Sequence, residues 1–366
     1  MIDSDIKQNT LYVVCTEFQL LTVLNLYRDN NREADILFLT KDIVRWRLLV
    51  SRLYERGIFK SIFIYEENTY TKIMLNNNEL VLVSDISFTI NSYNNIFVTN
   101  FDFLKHNSEI INKKAIKISL FDEGTMSYLN YFVIECNRIT PCKDIYIYNP
   151  SLANYANDDS YIIHSINKIS NKDTRLIELY NYVFNYKPIV SESHKLDIFF
   201  SQPFSKEISR KAKIRKFIRL FQYKSIHEYI ESDIAYYQDY LIKFLKSKLS
   251  TFKRKKHPRE FNSSDNDLKM DYPWELFLLN NPYVSICQYS LYSSVLCSQL
   301  ILKESYNIRS LYLYPYVVKH LQNKYNIENS KLINELFEFF NKIEKMGLLV
   351  AVNNINQLEG IIHDRV

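Results

Sequence analysis

The sequence predicts an α/β protein built from two domains, each a parallel sheet with helices packed against it. The chain has 366 residues, which is longer than a usual single domain. In its first half, apolar runs of strand length alternate with stretches that carry apolar residues at helical spacing, the pattern of a doubly wound sheet. Residues 186–194 lack any periodicity and include Pro188, Ser191 and Ser193, so they are the expected linker.

The predicted N-terminal domain covers residues 1–187. Its expected strands are the apolar runs at residues 11–15, 34–39, 61–65, 95–100 and 115–121. Two expected helices, residues 18–28 and 43–56, lie between the first three strands. Gly57 follows the second helix in the place of a C-cap.

The predicted C-terminal domain covers residues 195–366. Its first expected strand is residues 196–201, and a long helix follows at residues 226–249. Further strands are expected at residues 283–288 and 311–316, and a closing helix at residues 332–346. This second half therefore also predicts an α/β unit.

The composition is that of a folded protein, with 47% hydrophobic and 24% charged residues. The five cysteines show no CxxC spacing, which favours a reducing compartment. The N-terminal segment carries no apolar signal sequence, and the chain has no apolar run of about 18 residues. These observations predict a cytoplasmic protein without a membrane span.

The net charge of +5 is modest, but basic residues concentrate in two stretches, residues 206–219 and 253–256. Such stretches indicate either a solvated helix face or an attraction to anionic lipid or to a phosphorylated ligand. Peripheral association with an anionic membrane is one expectation. Nucleic acid is not expected, because no known binding module accompanies the charge.

An acidic pair follows the predicted strand at residues 115–121. Asp122 and Glu123 come directly after it, and Gly124 follows them. Because open α/β sheets bind ligands at the carboxyl ends of their strands, a tight turn at Gly124 could direct Glu123 towards a ligand. The alternative is an ordinary strand exit with an acidic N-cap.

A histidine lies among basic residues in the second half of the chain. His257 follows the stretch at residues 253–256 and precedes Pro258. An imidazole in positively charged surroundings suits a leaving phosphate, to which it can donate a proton or a hydrogen bond. The alternative is an exposed loop histidine.

Two further positions have residue types that bind nucleotides. Ser293 and Ser294 precede a predicted helix at residues 295–303, where hydroxyls and unpaired N–H groups can bind phosphate or simply cap the helix. Glu275 follows Pro273 and Trp274 at the start of another helical pattern. Its carboxylate could bind ribose hydroxyls or favour the helix dipole.

The order of these motifs resembles glycosyltransferase family 52, the bacterial lipooligosaccharide and capsule sialyltransferases. The matching elements are the acidic pair with glycine, His257 with Pro258, the Pro-x-Glu ending at Glu275, and the serine pair. Other bacterial sialyltransferase and polysialyltransferase families share several of them more distantly. Thr16 and Gln19 are also similar to the family's Thr-x-x-Gln after the first strand.

The resemblance implies a GT-B fold of two Rossmann-like domains facing a central cleft. It implies an inverting transfer of sialic acid from CMP-sialic acid to a galactose-type hydroxyl of an oligosaccharide, with α-2,3 linkage and without metal or cofactor. Glu123, with Asp122 beside it, would be the base, and His257 would assist the departure of CMP. The serine pair would hold the phosphate and Glu275 the ribose. Gly124 and Pro258 would shape the donor site, and Thr16, Gln19 and Gln202 would line the cleft.

One position departs from the family pattern. Some members carry an acid directly after the proline that follows the first strand of the second domain, and here Ser201, Gln202 and Pro203 are followed by Phe204. The base therefore stays open between Glu123, Asp122 and Glu207. Alternative functions are a transferase of the same fold with another sugar donor, or a non-catalytic glycan- or membrane-associated protein. The sequence also leaves open a homodimer.

Overall fold

The computed structural model describes residues 9–30, 34–40, 43–66, 71–76, 79–83, 90–188, 194–204, 223–257, 267–325 and 331–364. The chain forms two compact units. Unit 1 consists of Met1–Pro188, Asp271–Asn280 and Leu300–Glu304, and unit 2 of Ile189–Met270, Asn281–Gln299 and Ser305–Val366. Glu207, Pro258 and the basic stretch at residues 206–219 lie outside the described residues.

Unit 1 is built on a sheet that has nine strands in the described part of the chain. The strands are β1 (Thr10–Val14), β2 (Ala34–Thr40), β3 (Ile62–Glu66), β4 (Thr71–Asn76), β5 (Glu79–Val83), β6 (Asn95–Phe97), β7 (Lys117–Phe121), β8 (Cys142–Ile147) and β9 (Ile162–Ser165). Their order is β5-β4-β3-β2-β1-β6-β7-β8-β9. Pairing is parallel except within the edge meander, where β4 runs antiparallel to β3 and β5.

The described helices of unit 1 are α1 (Glu17–Asn30), α2 (Ile43–Glu55), α3 (Phe101–Lys113), α4 (Asn130–Ile139), α5 (Thr174–Val183) and α7 (Trp274–Asn280). Gly57 adopts φ +59 and donates to the carbonyl of Tyr54, so it is the predicted C-cap of α2. All five residues of β1 are buried. Parallel strands that are covered on both faces need such continuous apolar runs, which is why the sequence pattern was informative.

Unit 2 has a five-stranded parallel sheet within the described residues, with the order β11-β10-β12-β13-β14. The strands are β10 (Lys195–Phe200), β11 (Phe252–Lys255), β12 (Ser285–Ser290), β13 (Ile308–Tyr312) and β14 (Val350–Ala351). Its helices are α6 (Tyr223–Lys248), α8 (Tyr314–Tyr325), α9 (Lys331–Lys345) and α10 (Ile355–His363). The predicted α/β class with two Rossmann-like units is confirmed.

Several predicted elements differ in extent. The strand expected at residues 311–316 ends at Tyr312, and α8 begins at Tyr314. Pro315 explains the change, because it lacks an N–H for a strand ladder and fits the first turn of a helix. The strand expected at residues 95–100 ends at Phe97, and Asn100 instead caps α3 by accepting from the N–H of Phe103 at 2.7 Å.

Two segments expected in the C-terminal domain belong to unit 1. In the first, Asn280 at the end of α7 exchanges two side-chain hydrogen bonds with Asn181 of α5, at 2.8 and 2.9 Å. In the second, Leu302 forms a parallel bridge with Ile169. Both contacts are long-range in sequence, so no local pattern could have predicted them.

Candidate active site

The site in unit 1 lies where the strand order reverses. β1 pairs with β2 on one side and with β6 on the other, and β7 follows β6. The chain leaves this edge at Thr16 after β1, at Thr99 after β6 and at Asp122 after β7. The carboxyl ends of strands at such a switch point are the usual ligand site of an open α/β sheet.

Asp122 is buried, and each of its carboxylate oxygens accepts hydrogen bonds. Its side chain is 1% exposed, and its two oxygens accept from the N–H of Gly124 at 2.8 Å, the hydroxyl of Tyr128 at 2.6 Å and the N–H of Tyr148 at 3.2 Å. Burial raises the pKa of Asp122 to about 6, while these hydrogen bonds act in the opposite direction. With both oxygens occupied, this carboxylate organises the turn.

Gly124 makes that turn possible. Its φ of 111 and ψ of −151 lie in a region that side-chain-bearing residues rarely adopt. The backbone reverses there into a 3-10 turn at Thr125–Tyr128, which brings the Tyr128 hydroxyl back to Asp122. The structure therefore gives Gly124 a backbone role.

Glu123 has different surroundings, although it is the next residue. Its backbone N–H donates to Ser127 Oγ at 2.9 Å, and its Oε2 accepts from Gln19 Nε2 at 3.2 Å. The side chain is half-buried. Burial raises the pKa of Glu123 to about 7, with a hydrogen bond from Gln19 opposing the rise, nearby Asp122 adding to it, and a hydrogen bond from Thr99 also opposing it. A carboxyl with a pKa near neutrality can accept a proton at physiological pH.

Thr16 and Gln19 form a capping box at the start of α1. Thr16 Oγ1 accepts from the N–H of Gln19 at 3.2 Å, and Gln19 Oε1 accepts from the N–H groups of Cys15 and Thr16 at 2.6 and 3.2 Å. Side chains of the chain itself therefore satisfy N–H groups at the start of α1, as Asn100 does at the start of α3. These two helix starts have less capacity for an external anion as a result.

Unit 2 has its own switch point, between β10 and β12. Gln202 follows β10, and its backbone is fixed by Gln238 of α6, which accepts from the N–H of Gln202 at 2.7 Å and donates to its carbonyl at 3.0 Å. Phe204 then packs edge-on against Tyr292, which follows β12, with ring centroids 5.6 Å apart. Phe204, where the sequence comparison with glycosyltransferase family 52 expects an acid in some of that family's members, is thus one half of an aromatic pair.

Ser293 and Ser294 also follow β12. The helix expected at residues 295–303 is instead a 3-10 helix, Ser294–Leu300, because the N–H of Leu296 bonds to the carbonyl three residues earlier, that of Ser293, at 3.1 Å. Ser293 Oγ accepts from the N–H of Val295 at 3.4 Å, and the N–H of Ser293 donates to Ser290 Oγ at 3.3 Å. Both serines are half-buried at the carboxyl edge of the sheet.

His257 follows β11, the strand next to β10, and is half-buried. The basic residues before it form an edge strand rather than a helix face. Three of their cationic groups bind within unit 2: Arg254 to Ser201 Oγ at 3.3 Å, Lys255 to the carbonyl of Met270 at 3.4 Å, and Lys256 to Asp267 at 3.4 Å. Lys253 is exposed.

Glu275 lies in unit 1, in the first turn of α7, and is 5% exposed. Its carboxylate is near Tyr148, the residue whose N–H binds Asp122. The pKa of Tyr148 is raised mainly by burial, and the charges of Asp122 and Glu275 add to the rise. The structure thus places Glu275 in unit 1, near the side chain of Tyr148.

Several residues that hold the predicted site residues in place belong to no sequence motif. Thr99, Tyr128, Tyr148 and Gln238 all contact predicted site residues. Each is a common polar residue outside any motif, so only the tertiary contact identifies it. Tyr128 is the one of these four whose position in the sequence suggests a role. It lies six residues after Asp122, and the two are separated by Gly124, one of only four glycines in the chain.

Within the described residues, no helix has both the length and the apolar character needed to cross a membrane. The same residues contain no group of three or more His, Cys, Asp or Glu side chains that could hold a metal ion.

No protein-family model and no curated protein sequence matches this chain. Solved structures do resemble it. The α/β-galactoside α-2,3-sialyltransferase of the luminous marine bacterium Photobacterium phosphoreum aligns over 96% of this chain and 100% of its own, with 10% identity and a TM-score of 0.49. The Anabaena protein Alr3699/HepE in complex with UDP-glucose aligns over 97% of this chain and 89% of its own, with 10% identity and a TM-score of 0.44.

Proposed function

We propose that this chain is an inverting glycosyltransferase that transfers sialic acid from CMP-sialic acid to a galactose-type hydroxyl. The observation that carries the proposal is the state of Glu123, a half-buried carboxyl with a pKa raised to about 7 at the switch-point edge of unit 1. Glycosyl transfer needs a base of this kind to deprotonate the acceptor hydroxyl. The motif order shared with family 52 supports the assignment of the donor.

In the proposed reaction, the acceptor oxygen attacks the anomeric carbon of sialic acid as its proton passes to Glu123. The bond between that carbon and the phosphate oxygen breaks, and its electron pair leaves with CMP. Attack from the face opposite the phosphate inverts the anomeric configuration. His257 and the serine pair, all after strands at the carboxyl edge of unit 2, would donate to the phosphate as its negative charge grows.

The division of charge between the units supports these roles. At the edge of unit 1, α1 and α3 start with N–H groups already bound by Gln19 and Asn100, and a carboxyl lies beside them. This suits a neutral, hydroxyl-rich acceptor better than an anion. At the edge of unit 2, His257 follows the basic residues of β11, and Lys253 of that strand is exposed. This suits a phosphate.

The test is a donor panel on the purified full chain. CMP-sialic acid and UDP-glucose are each incubated with β-galactosides in the presence of EDTA, and products are separated by mass and linkage. We expect a sialylated product with inverted configuration from wild type and essentially none from Glu123→Gln. Transfer from UDP-glucose alone would assign the same fold a different donor. Absence of transfer from both donors, together with weak CMP binding, would favour a non-catalytic glycan-binding protein.

A further inference from the structure

The side-chain amide of Gln19 has only one orientation compatible with its hydrogen bonds. The N–H groups of Cys15 and Thr16 point at one end of this amide, at 2.6 and 3.2 Å. Backbone N–H groups can only donate, so the atom that they meet must be the carbonyl oxygen. The chain itself therefore fixes which end of the amide is oxygen and which is nitrogen.

The nitrogen end of the amide consequently faces the site. Gln19 Nε2 donates to Thr99 Oγ1 at 2.9 Å and to Glu123 Oε2 at 3.2 Å. The residue is 3% exposed, so water has little access to replace either contact. Thr99 in turn hydrogen-bonds Glu123. Gln19 and Thr99 thus hold the carboxyl from one side, on elements that follow β1 and β6.

Helix capping alone does not require glutamine at this position. In a Thr-x-x-Gln or Thr-x-x-Glu capping box, either side chain can accept from the N–H groups before the helix. A carboxylate would accept the Cys15 and Thr16 bonds equally well but has no N–H for Glu123. We propose that Gln19 is a positioning residue whose amide orients the Glu123 carboxyl and stabilises its charged, proton-accepting form; this role as a base partner rests on the proposed function.

Few other charged groups act on Glu123 among the described residues. Asp122 precedes it and is fully hydrogen-bonded by the turn. The thiol of Cys136, on α4, is also nearby: burial is the main reason that the pKa of this thiol is raised, and the charge of Glu123 adds to the rise. Among the described residues neither donates a hydrogen bond to the Glu123 carboxylate as the Gln19 amide does, so the amide is the contact to alter.

The informative variant is Gln19→Glu, which keeps shape and capping oxygens and removes the donor. The Glu123 titration is followed in wild type and variant by infrared or ¹³C spectroscopy with labelled glutamate, and Glu123→Gln assigns the signal. We expect the pKa of Glu123 to rise by about one pH unit or more, because a like charge replaces a donor. The acid limb of kcat/KM should move with it, with about a fivefold loss at pH 7 for a shift of about one unit. The KM for the donor should change little.

Thr16→Ala is the matched control, because it weakens the cap without touching the donor. It should lower the melting temperature while the Glu123 titration keeps its midpoint. A Gln19→Glu protein that is folded but shows an unchanged Glu123 titration would overturn the proposal. So would a Thr16→Ala protein whose titration moves as far as that of Gln19→Glu, since the effect would then come from the helix start.

A wild-type measurement covers the case in which Gln19→Glu does not fold. The ¹H and ¹⁵N resonances of the Gln19 side-chain amide should titrate with the same midpoint as the Glu123 carboxyl, and Glu123→Gln should abolish that titration. An amide that is insensitive to pH in this range would also overturn the proposal. Because these spectra need neither donor nor acceptor, a coupled titration in a protein without transferase activity would refute the function and leave the amide contact standing.

Discussion

The hydroxyl of Tyr128 donates a 2.6 Å hydrogen bond to Oδ2 of Asp122, whereas no tyrosine among the described residues donates to the carboxylate of neighbouring Glu123. Two consecutive carboxylates thus differ in what they can do. Asp122 completes a turn whose other donors are backbone N–H groups, while Glu123 meets a side-chain amide and a hydroxyl at the edge of the sheet. The sequence left the base open between Glu123, Asp122 and Glu207, and within the acidic pair the hydrogen bonds favour Glu123.

Glu123→Gln should abolish chemistry and spare binding. The substitution keeps the shape and removes the basicity, so turnover should fall by about a hundredfold or more. CMP affinity, measured by calorimetry, should stay within about twofold of wild type, since the proposed donor contacts lie in unit 2. Turnover that survives in Glu123→Gln would move the base elsewhere, with Glu207 the next residue to substitute.

Asp122→Asn should destabilise the folded protein. Asp122 now accepts hydrogen bonds from three donors, and the amide of asparagine would present an NH₂ group to at least one of them. Buried polar groups would then be left unpaired. We expect unfolding free energy to fall by about 1 to 3 kcal/mol, measured by urea denaturation. A stable but inactive Asp122→Asn protein would instead indicate that Asp122 is the base.

The activity should require Glu123 to be ionised. Because the pKa of Glu123 is raised to about 7, kcat/KM should fall about tenfold per pH unit below neutrality and level off above it. The free energy of unfolding should instead decrease as pH rises from about 4.3 to about 7. The reason is that the Glu123 carboxyl binds its proton more tightly in the folded protein than in the unfolded chain. Glu123→Gln should therefore be relatively more stable than wild type at pH 8 than at pH 4. An acid limb near pH 4.5 in wild type would contradict the raised pKa.

The serine pair should contribute to nucleotide binding. Ser293→Ala combined with Ser294→Ala removes two hydroxyls at the carboxyl edge of unit 2, and each lost hydrogen bond to a charged phosphate oxygen should cost about 1.5 to 3 kcal/mol. Calorimetric titration with CMP measures the loss. Ser298→Ala is the control, since its hydroxyl already donates within the 3-10 helix, to the carbonyl of Val295 at 2.7 Å. Equal CMP affinity in the double variant and wild type would show that the two serines cap the 3-10 helix and do not bind the phosphate.

The fold was predictable because its strands are nearly continuous apolar runs. The limits of β1, β2, β7 and β10 lie within two residues of the expected ones. A strand that is buried on both faces needs apolar residues at nearly every position, and such a run is visible in the sequence. The second segment of unit 1, α7, was recognised as a helix and assigned to the other half of the chain, because membership in a unit depends on contacts such as that between Asn181 and Asn280.

The site was predictable only in part, for the same reason. Glu123, Gly124 and the Thr16–Gln19 pair stand out by their position after strands, and the structure brings Gln19 and Glu123 into contact across 104 residues of chain. Nothing local distinguishes Thr99 or Tyr148 from the chain's other threonines and tyrosines. Those residues act through tertiary hydrogen bonds, which one sequence does not record.

A specific contact of His257 with CMP can be distinguished from a general effect of the positive charge around it. His257→Ala should lower both CMP affinity and turnover, with the larger effect on turnover, because a donor to the leaving phosphate binds it in the ground state and more strongly as charge develops. Lys253→Ala is the matched control: it removes a full positive charge four residues away, from an exposed side chain of β11, the strand that His257 follows. Such a charge acts through solvent, so its effect should be small and should disappear in about 0.5 M salt, where screening is strong. If Lys253→Ala weakened CMP binding as much as His257→Ala, and salt removed both effects, the nucleotide would be attracted by the net charge of β11, and His257 would have no specific contact with it.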